Sequence, residues 1–512
     1  MSPPKPLRFS HGAPPFKWSH LWEPAIVNPV NLKSYTIPIF NLRDPYSRAF
    51  HLSWLGFFVA FLSWFAFPPL IPEAIKSDLH LSGVQVANSN VIALSATLGM
   101  RVIVGPLVDL YGPRKVMASL LVLGAIPSGL AGTAYSANAL YVLRFFIGIL
   151  GATFVPCQAW TSAFFDKNCV GTANALVGGW GNMGGGATFA IMTSLFEALT
   201  KTYGLSAHVA WRAAFAIVPA PILLFTALLT MVFAQDHPAG KWSERHTLPA
   251  AAIAHRDGDQ LDLRRPEKEL HSSSDSKNEK DTEAVTVHPV IAEEDLDLVK
   301  STVDVAINEP LTLKTALKIL KNPLTWLPAL AYLTTFGIEL AIDSKFADVL
   351  YTLFKKKRPG FTQTTAGYYT SILGFLNLVT RPAGGYIGDV VYRRYGTQGK
   401  KAWTLICGLI MGAALVGGGV YMENTRAAGS ESLSILMGAF SVAMIFSEFG
   451  NGANFALVPH CNAYNNGVMS GLVGSFGNLG GIIFALIFRF VPHVGKAFWI
   501  MGVICLGINT VL

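Results

Sequence analysis

The sequence predicts an all-α membrane protein with twelve transmembrane helices in two pseudo-symmetric six-helix bundles. Three observations lead there. Hydrophobic residues make up 51% of the 512 and charged residues only 14%, which leaves too little polar surface for a soluble domain of this length. Apolar runs of about twenty residues recur along the chain, the length that crosses a hydrocarbon core of about 30 Å. Two local patterns in the first half also return, at the same internal spacing, in the second.

The elements follow in order. Residues 1–50 are polar and Pro-rich, show no cleavable signal peptide, and form an N-terminal arm. Apolar spans near 51–72, 88–108, 116–134, 138–158, 171–196 and 209–233 make a first bundle over 51–234. Residues 235–320 include HRDGDQLDLRRPEKELHSSSDSKNEKDTEA and lack an apolar stripe of membrane length, so a disordered connector is expected. Spans near 324–345, 366–388, 402–421, 433–458, 467–490 and 496–512 make a second bundle over 321–512. The last is short and runs to the final residue, which points to a truncated chain or an incomplete helix.

Basic residues in short loops set the orientation. Lys5, Arg8, Lys17, Lys33, Arg43 and Arg48 mark the arm, Arg114 and Lys115 the second loop, and Arg393, Arg394, Lys400 and Lys401 the loop after span eight. An even number of spans puts all of these, and both termini, in the cytoplasm. FKKKRPG at 354–360 disagrees, because it falls outside. The net charge of +8 reflects this cytoplasmic bias rather than nucleic acid. Five cysteines show no metal spacing and read as packing residues, and no cofactor or metal is expected.

The two repeated patterns are specific. RVIVGPLVD places Gly105 and Asp109 after Arg101; RPAGGYIGD places Gly385 and Asp389 after Arg381 at the same distances. GTANALVGGWGNMGG at 171–185 aligns without a gap on GVMSGLVGSFGNLGG at 467–481, matching Asn182 with Asn478. Small residues at helical spacing let helix backbones approach closely, and such contacts slide as two halves rock.

GPLVDLYGPRK at 105–115 resembles the cytoplasmic-loop motif of the major facilitator superfamily, with Gly105, Asp109 and Arg114. The paired glycine-asparagine stretches, with RFFIGILGATFVPCQ (144–158), GFLNLVTRPAGG (374–385) and NGANFALVPH (451–460), resemble the nitrate/nitrite porter family and especially its fungal uptake members. The resemblance runs from about residue 24 to the end, excluding the central segment. It implies the major facilitator fold, a plasma-membrane location and transport of nitrate, with nitrite as a second substrate. It also implies that the two anion-binding arginines are Arg101 and Arg381, and that Tyr332, Phe336, Asn377, Phe61 and Phe154 line the pocket.

The residues themselves leave alternatives open. A positive charge at mid-membrane costs roughly 2.5–3.5 kcal/mol on insertion scales. Arg101 and Arg381 have no acid one helical turn away. Either they pair with a carboxylate on another helix, with Glu339 and Glu448 as candidates, or they share one anion. The guanidinium fork suits a planar anion with three acceptor oxygens. Asn182 and Asn478 either make interhelical hydrogen bonds or touch the substrate. Asn377 lies one turn before Arg381, and Tyr332 one turn before Phe336. Phe61 and Phe154 read from sequence alone as core aromatics.

An anion moving into a negative cell works against about 2.3 kcal/mol per charge per 100 mV. Proton symport overcomes this, and Glu339, Glu448 and Asp343 are the intramembrane candidates, each of which also reads as a helix-pairing group. Nitrate/nitrite exchange, transport of another small anion, and a non-transporting receptor are the rivals. Two arginines with little compensating acid argue against sugars. No P-loop, metal cluster or nucleophile elbow marks an enzyme. Nitrate, protons and the bilayer are the expected partners, and a monomer the expected state.

Overall fold

Asp44 and Pro45 start the first long helix. The Asp44 carboxylate accepts the Tyr46 N–H at 2.8 Å, and a proline in the first turn lacks only a donor that would be unused there. The computed structural model describes residues 8–9, 13–28, 31–166, 168–238, 240–244, 313–461 and 466–512. In the first half, helices α1 (Pro45–Asp78), α2 (Gly83–Tyr111), α3 (Pro113–Thr133), α4 (Ala137–Phe164), α5 (Val170–Glu197) and α6 (Ala207–Phe233) follow one another. In the second, α7 (Pro323–Phe354), α8 (363–395), α9 (397–426), α10 (Leu433–Cys461), α11 (Asn466–Phe490) and α12 (Val494–Val511) repeat the plan. Gly396, at φ 63°, breaks α8 from α9, a backbone state that glycine adopts without strain.

Ten of these twelve are long and apolar enough to cross a bilayer. The other two, α5 and α8, hold the glycine stretch and Arg381; α5 is packed deep between neighbours, whereas α8 leaves Ile372, Val379 and Tyr386 exposed. Helix α2 shows how one sequence serves two environments. Val102, Ile103 and Leu110 are exposed, as lipid requires, while Arg101, Val104, Gly105 and Val108 are buried.

Two expected boundaries shift. The arm ends at residue 44 rather than 50, and it lies against the first bundle: Ser34 N–H donates to Phe164 O at 2.9 Å, and Asn31 to Asp166 at 3.1 Å. The connector is not featureless at its ends. Asp236 pairs with Arg114 at 3.1 Å, Trp242 donates to Asp109 O at 2.8 Å, and Leu313–Lys321 forms a short amphipathic helix. Burial pushes the Asp236 carboxyl above the usual carboxylate range, against the pull of Arg114. Lys5, the side chains of Arg8 and Arg393, and residues 245–312 of the connector lie outside the described residues. FKKKRPG follows α7 on the face opposite the arm.

Two seams join the halves, α2 against α11 and α5 against α8. Glycines set their closeness. A Cβ on Gly186 would meet Gly374 Cα at 2.6 Å, and one on Gly374 would meet Gly186 Cα at 2.3 Å. Overpacking of this kind costs about 1–3 kcal/mol. Gly186→Ala is therefore expected to lower the unfolding temperature of detergent-purified protein. Gly438→Ala, with nothing within 4 Å of the new methyl, is expected to leave it unchanged or raise it. Equal melting curves for the two variants would contradict this close approach.

Candidate functional site

Helices α2 and α8 each turn one arginine away from lipid into the middle of the molecule, where Arg101 is 0% and Arg381 1% exposed. Water is not available at such positions, so protein groups must satisfy each guanidinium. Arg101 donates from Nε to Gly151 O at 2.9 Å and from Nη1 to Gly474 O at 2.7 Å. Its partners thus come from α4 and, across the seam, from α11. Glycine at 474 leaves room, since a Cβ there would lie 3.1 Å from Arg101 Nη1. Nη2 has no hydrogen-bond partner among the described residues.

Arg381 donates from Nη2 to the Tyr332 oxygen at 3.0 Å. Its Nη1 lies 3.9 Å from a Glu339 oxygen, too far for a hydrogen bond, and has no other partner among the described residues. Phe154 and Phe336 lie beside both cations. Arg101 Cζ is 5.0 and 5.1 Å from their ring centres, and Arg381 Cζ 5.8 and 5.9 Å. Tyr332 and Phe336 stack at 4.8 Å with planes 5° apart. Two guanidinium groups, one from each half, therefore share one aromatic lining, and each keeps one buried amino nitrogen without a protein acceptor among the described residues.

Behind Arg381 lies a layer of carboxyls and amides. Glu339 accepts from Asn377 at 2.7 Å, from Asn451 at 2.7 Å and from Asn182. Glu448 accepts from Asn377 at 2.9 Å and from the Thr380 hydroxyl. Asp343, one turn beyond Glu339, is buried and receives no hydrogen bond among the described residues. The pairing of arginine with acid expected as one alternative thus holds only loosely for Arg381, whose acid is already held by three amides. No carboxylate lies within 4.0 Å of Arg101 among the described residues.

The two halves match closely around the arginines and then diverge. Gly178 of α5 lies against Arg381, and Gly474 of α11 against Arg101. A Cβ on Gly184 would strike Phe58 O of α1, and one on Gly480 Leu333 O of α7. This correspondence makes Phe57 and Phe61 the counterparts of Tyr332 and Phe336. Phe61 nevertheless packs on Phe57, Trp64 and Phe65 and reaches neither arginine, because both cations lean toward Phe154 and Phe336. Asn182 crosses to Glu339, whereas Asn478 donates to Gly474 O of its own helix at 3.1 Å. Neither amide is bonded to an arginine.

Sequence reasoning missed Asn451, Thr380 and Phe455. Phe455 meets Phe154 at 4.7 Å and Tyr332 at 5.0 Å edge-on. Asn451 and Phe455 lie one turn apart within NGANFALVPH, a spacing that would have put them on one face of α10.

The loop-motif residues act at the face that carries the arm. Asp389 pairs with Lys400 at 2.8 Å and accepts from Thr172 at 3.0 Å, at the start of α5, where a negative charge complements the helix end. Gly385 lets α8 approach Ala175, and Gly105 lies beside Gly471 of α11. Arg114 does not join this seam; it grips Asp236. At the opposite face Tyr351 donates to Glu73 at 3.0 Å, and the Gln363 side chain accepts the Glu73 N–H at 2.7 Å. Bonds between the halves thus close both ends of the central layer.

A helical membrane protein of two matched halves with a sealed, charged centre is, as a class, a transporter. The family model for the Major Facilitator Superfamily matches residues 53–485. High affinity nitrate transporter 2.5 of Arabidopsis thaliana is 31% identical over 457 residues, 89% of this chain and 76% of its own length. Nitrate/nitrite transporter NrtP of Nostoc punctiforme is 28% identical over 494 residues, 91% of this chain and 92% of its own. The proton:xylose symporter XylE superposes with a TM-score of 0.62 at 13% identity, covering 91% of this chain and 95% of its own, a likeness of fold. The chain belongs to the major facilitator superfamily and, within it, to the nitrate/nitrite porter family; it is a multi-pass membrane transporter and not an enzyme.

Asn377 ties the acid layer together, since one amide serves both Glu339 and Glu448. Hydrogen bonds to charged groups are worth about 1.5–3 kcal/mol. Asn377→Leu is expected to lower the unfolding temperature. Asn377→Asp adds a fourth carboxyl and is expected to lower it further at neutral pH than at acid pH, where protonation relieves the repulsion. A pH-independent loss in the Asp variant would contradict this reading of the layer.

Proposed function

We propose that this protein takes up nitrate across the plasma membrane by alternating access, holding the anion between Arg101 and Arg381 and coupling its movement to protons. The observation that supports this reading is the pair of buried amino nitrogens without acceptors among the described residues, one on each arginine and one from each half, beside the same aromatic rings. A planar anion accepts from both forks at once, and flat rings suit its weakly hydrated faces while disfavouring tetrahedral, strongly hydrated anions. An anion bridging the halves draws them together; its release lets them part. Nitrite offers the same acceptors and is a second substrate. Tyr332 and Asn377 hold Arg381 and its acid layer in place. Phe61, Asn182 and Asn478 act one step away from the anion. The face that carries the arm, with its loop cations, is the cytoplasmic one.

The proton count follows from charge. Two guanidinium groups face three carboxyls, Glu339, Asp343 and Glu448. With all three ionised the centre carries −1, and a nitrate would make it −2, which a low-dielectric site opposes strongly. With Asp343 and Glu448 protonated, Glu339 and nitrate balance the two arginines. Two protons moving with one nitrate also make uptake carry positive charge inward, with the membrane potential.

Nitrate addition to cells expressing the protein is expected to give an inward current that grows as external pH falls. An electroneutral exchange would give no current, and a receptor no counterflow of labelled nitrate in vesicles. Arg381→Lys keeps the charge but loses the fork, and nitrate uptake is expected to fall roughly tenfold or more while the protein still reaches the membrane. Glu448→Gln is expected to abolish the pH dependence while counterflow persists. Wild-type affinity in the Lys variant would overturn the anion assignment.

A further inference from the structure

At the face opposite the arm, a cleft of about 320 Å³ opens on the α2–α11 seam. Gly83, Ala87 and Asn90 at the start of α2 form one wall, and Lys345 of α7 with Ala485 and Arg489 of α11 form the other. It therefore lies between the halves. Along α2, Asn90 is eleven residues before Arg101, which is about 16 Å at the helical rise.

The charge of this cleft is one-sided. Lys345 pairs with Asp348, one turn along α7. Arg489 is exposed, lies over Phe490 at 5.2 Å, and has no carboxylate within 4.0 Å among the described residues. The cleft-lining residues of α2 carry no charge, and its first turn, capped by Ser82, presents the positive end of the helix dipole. Asn90 is 5% exposed, and its amide oxygen has no partner among the described residues. Beyond α7, the run that breaks the basic-loop rule lies on the same face. Lys357 pairs with Glu431, while Lys355, Lys356 and Arg358 have no acid within 4.0 Å among the described residues.

We infer that this cleft is a second, outer anion site, which takes a small, partly hydrated monovalent anion before it reaches the buried arginines. Arg489 supplies the attraction, Lys345 being paired already, and Asn90 accepts a hydrogen bond from the anion's remaining water. A positive patch in a low-dielectric cleft raises the local anion concentration roughly tenfold or more. This also gives the FKKKRPG run a role: it extends the positive field over the outer face. The outward direction, and nitrate as the anion, rest on the function proposed above.

Thiol labelling reads the site without transport. Ala87→Cys is made in a Cys169→Ser background, since the other four native cysteines are buried. Its reaction in proteoliposomes is timed with anionic and cationic methanethiosulfonates, each normalised to its rate with a free thiol. The anionic reagent is expected to react roughly tenfold faster than the cationic one. Arg489→Gln should bring the ratio close to one, and Arg489→Lys should restore it. Nitrate at constant ionic strength should slow the anionic reagent. A ratio unmoved by Arg489→Gln, or a rate that nitrate does not slow, overturns the outer site. Nitrate uptake by the wild type is measured in the same vesicles: its absence sinks the transport reading, whereas the labelling pattern alone decides the cleft.

Discussion

Two positive charges at the centre of a membrane-spanning bundle are the constraint around which this molecule is built. Arg101 and Arg381 are both fully buried, and neither has a carboxylate in hydrogen-bond contact among the described residues. What holds them is weaker and more distributed: glycine carbonyls, a tyrosine oxygen and the faces of Phe154 and Phe336. Each of these interactions leaves the cation partly unsatisfied. A site that fully paired its arginines would have no reason to bind an anion. One that left them wholly bare would not fold.

The glycine stretches make that compromise possible. Gly474 exposes its carbonyl to Arg101 and keeps α11 close enough to α2 for the bond to form across the seam. Gly178 makes the same room for Arg381 on the other side. Close backbone packing supplies van der Waals attraction without interlocking side chains, and such surfaces slide past one another more easily than ridged ones.

Symmetry is kept for the cations and broken for the acids. The correspondence of Phe58 with Leu333 makes Trp64 the counterpart of Glu339, and Pro68 the counterpart of Asp343. All three central carboxyls belong to the second half. The buried cations are thus shared between the halves, while the buried carboxyls belong to one. Arg381, bonded to Tyr332 and 3.9 Å from Glu339, is the link through which charge on one layer is felt by the other. Asp389 at the start of α5 and Glu73 beside Tyr351 close the two faces on either side of this centre.

Hydropathy and repetition in the sequence determined the twelve-helix plan and the equivalence of α2 with α8 and of α5 with α11. They also singled out the two arginines as the costly charges. Family resemblance added Phe154, Phe336, Tyr332 and Asn377, which the fold brings around Arg381. Only the tertiary structure decided which way the helices face. In a soluble helix the apolar stripe marks the buried side, but in a membrane both lipid and protein are apolar, so the pattern along α1 does not say whether Phe57 or Phe61 looks inward. Nor does it reveal that Asn182 crosses to Glu339 while its twin Asn478 folds back on its own helix. Those outcomes depend on the rotation of each helix against its neighbours, which side-chain volumes from distant parts of the chain fix together.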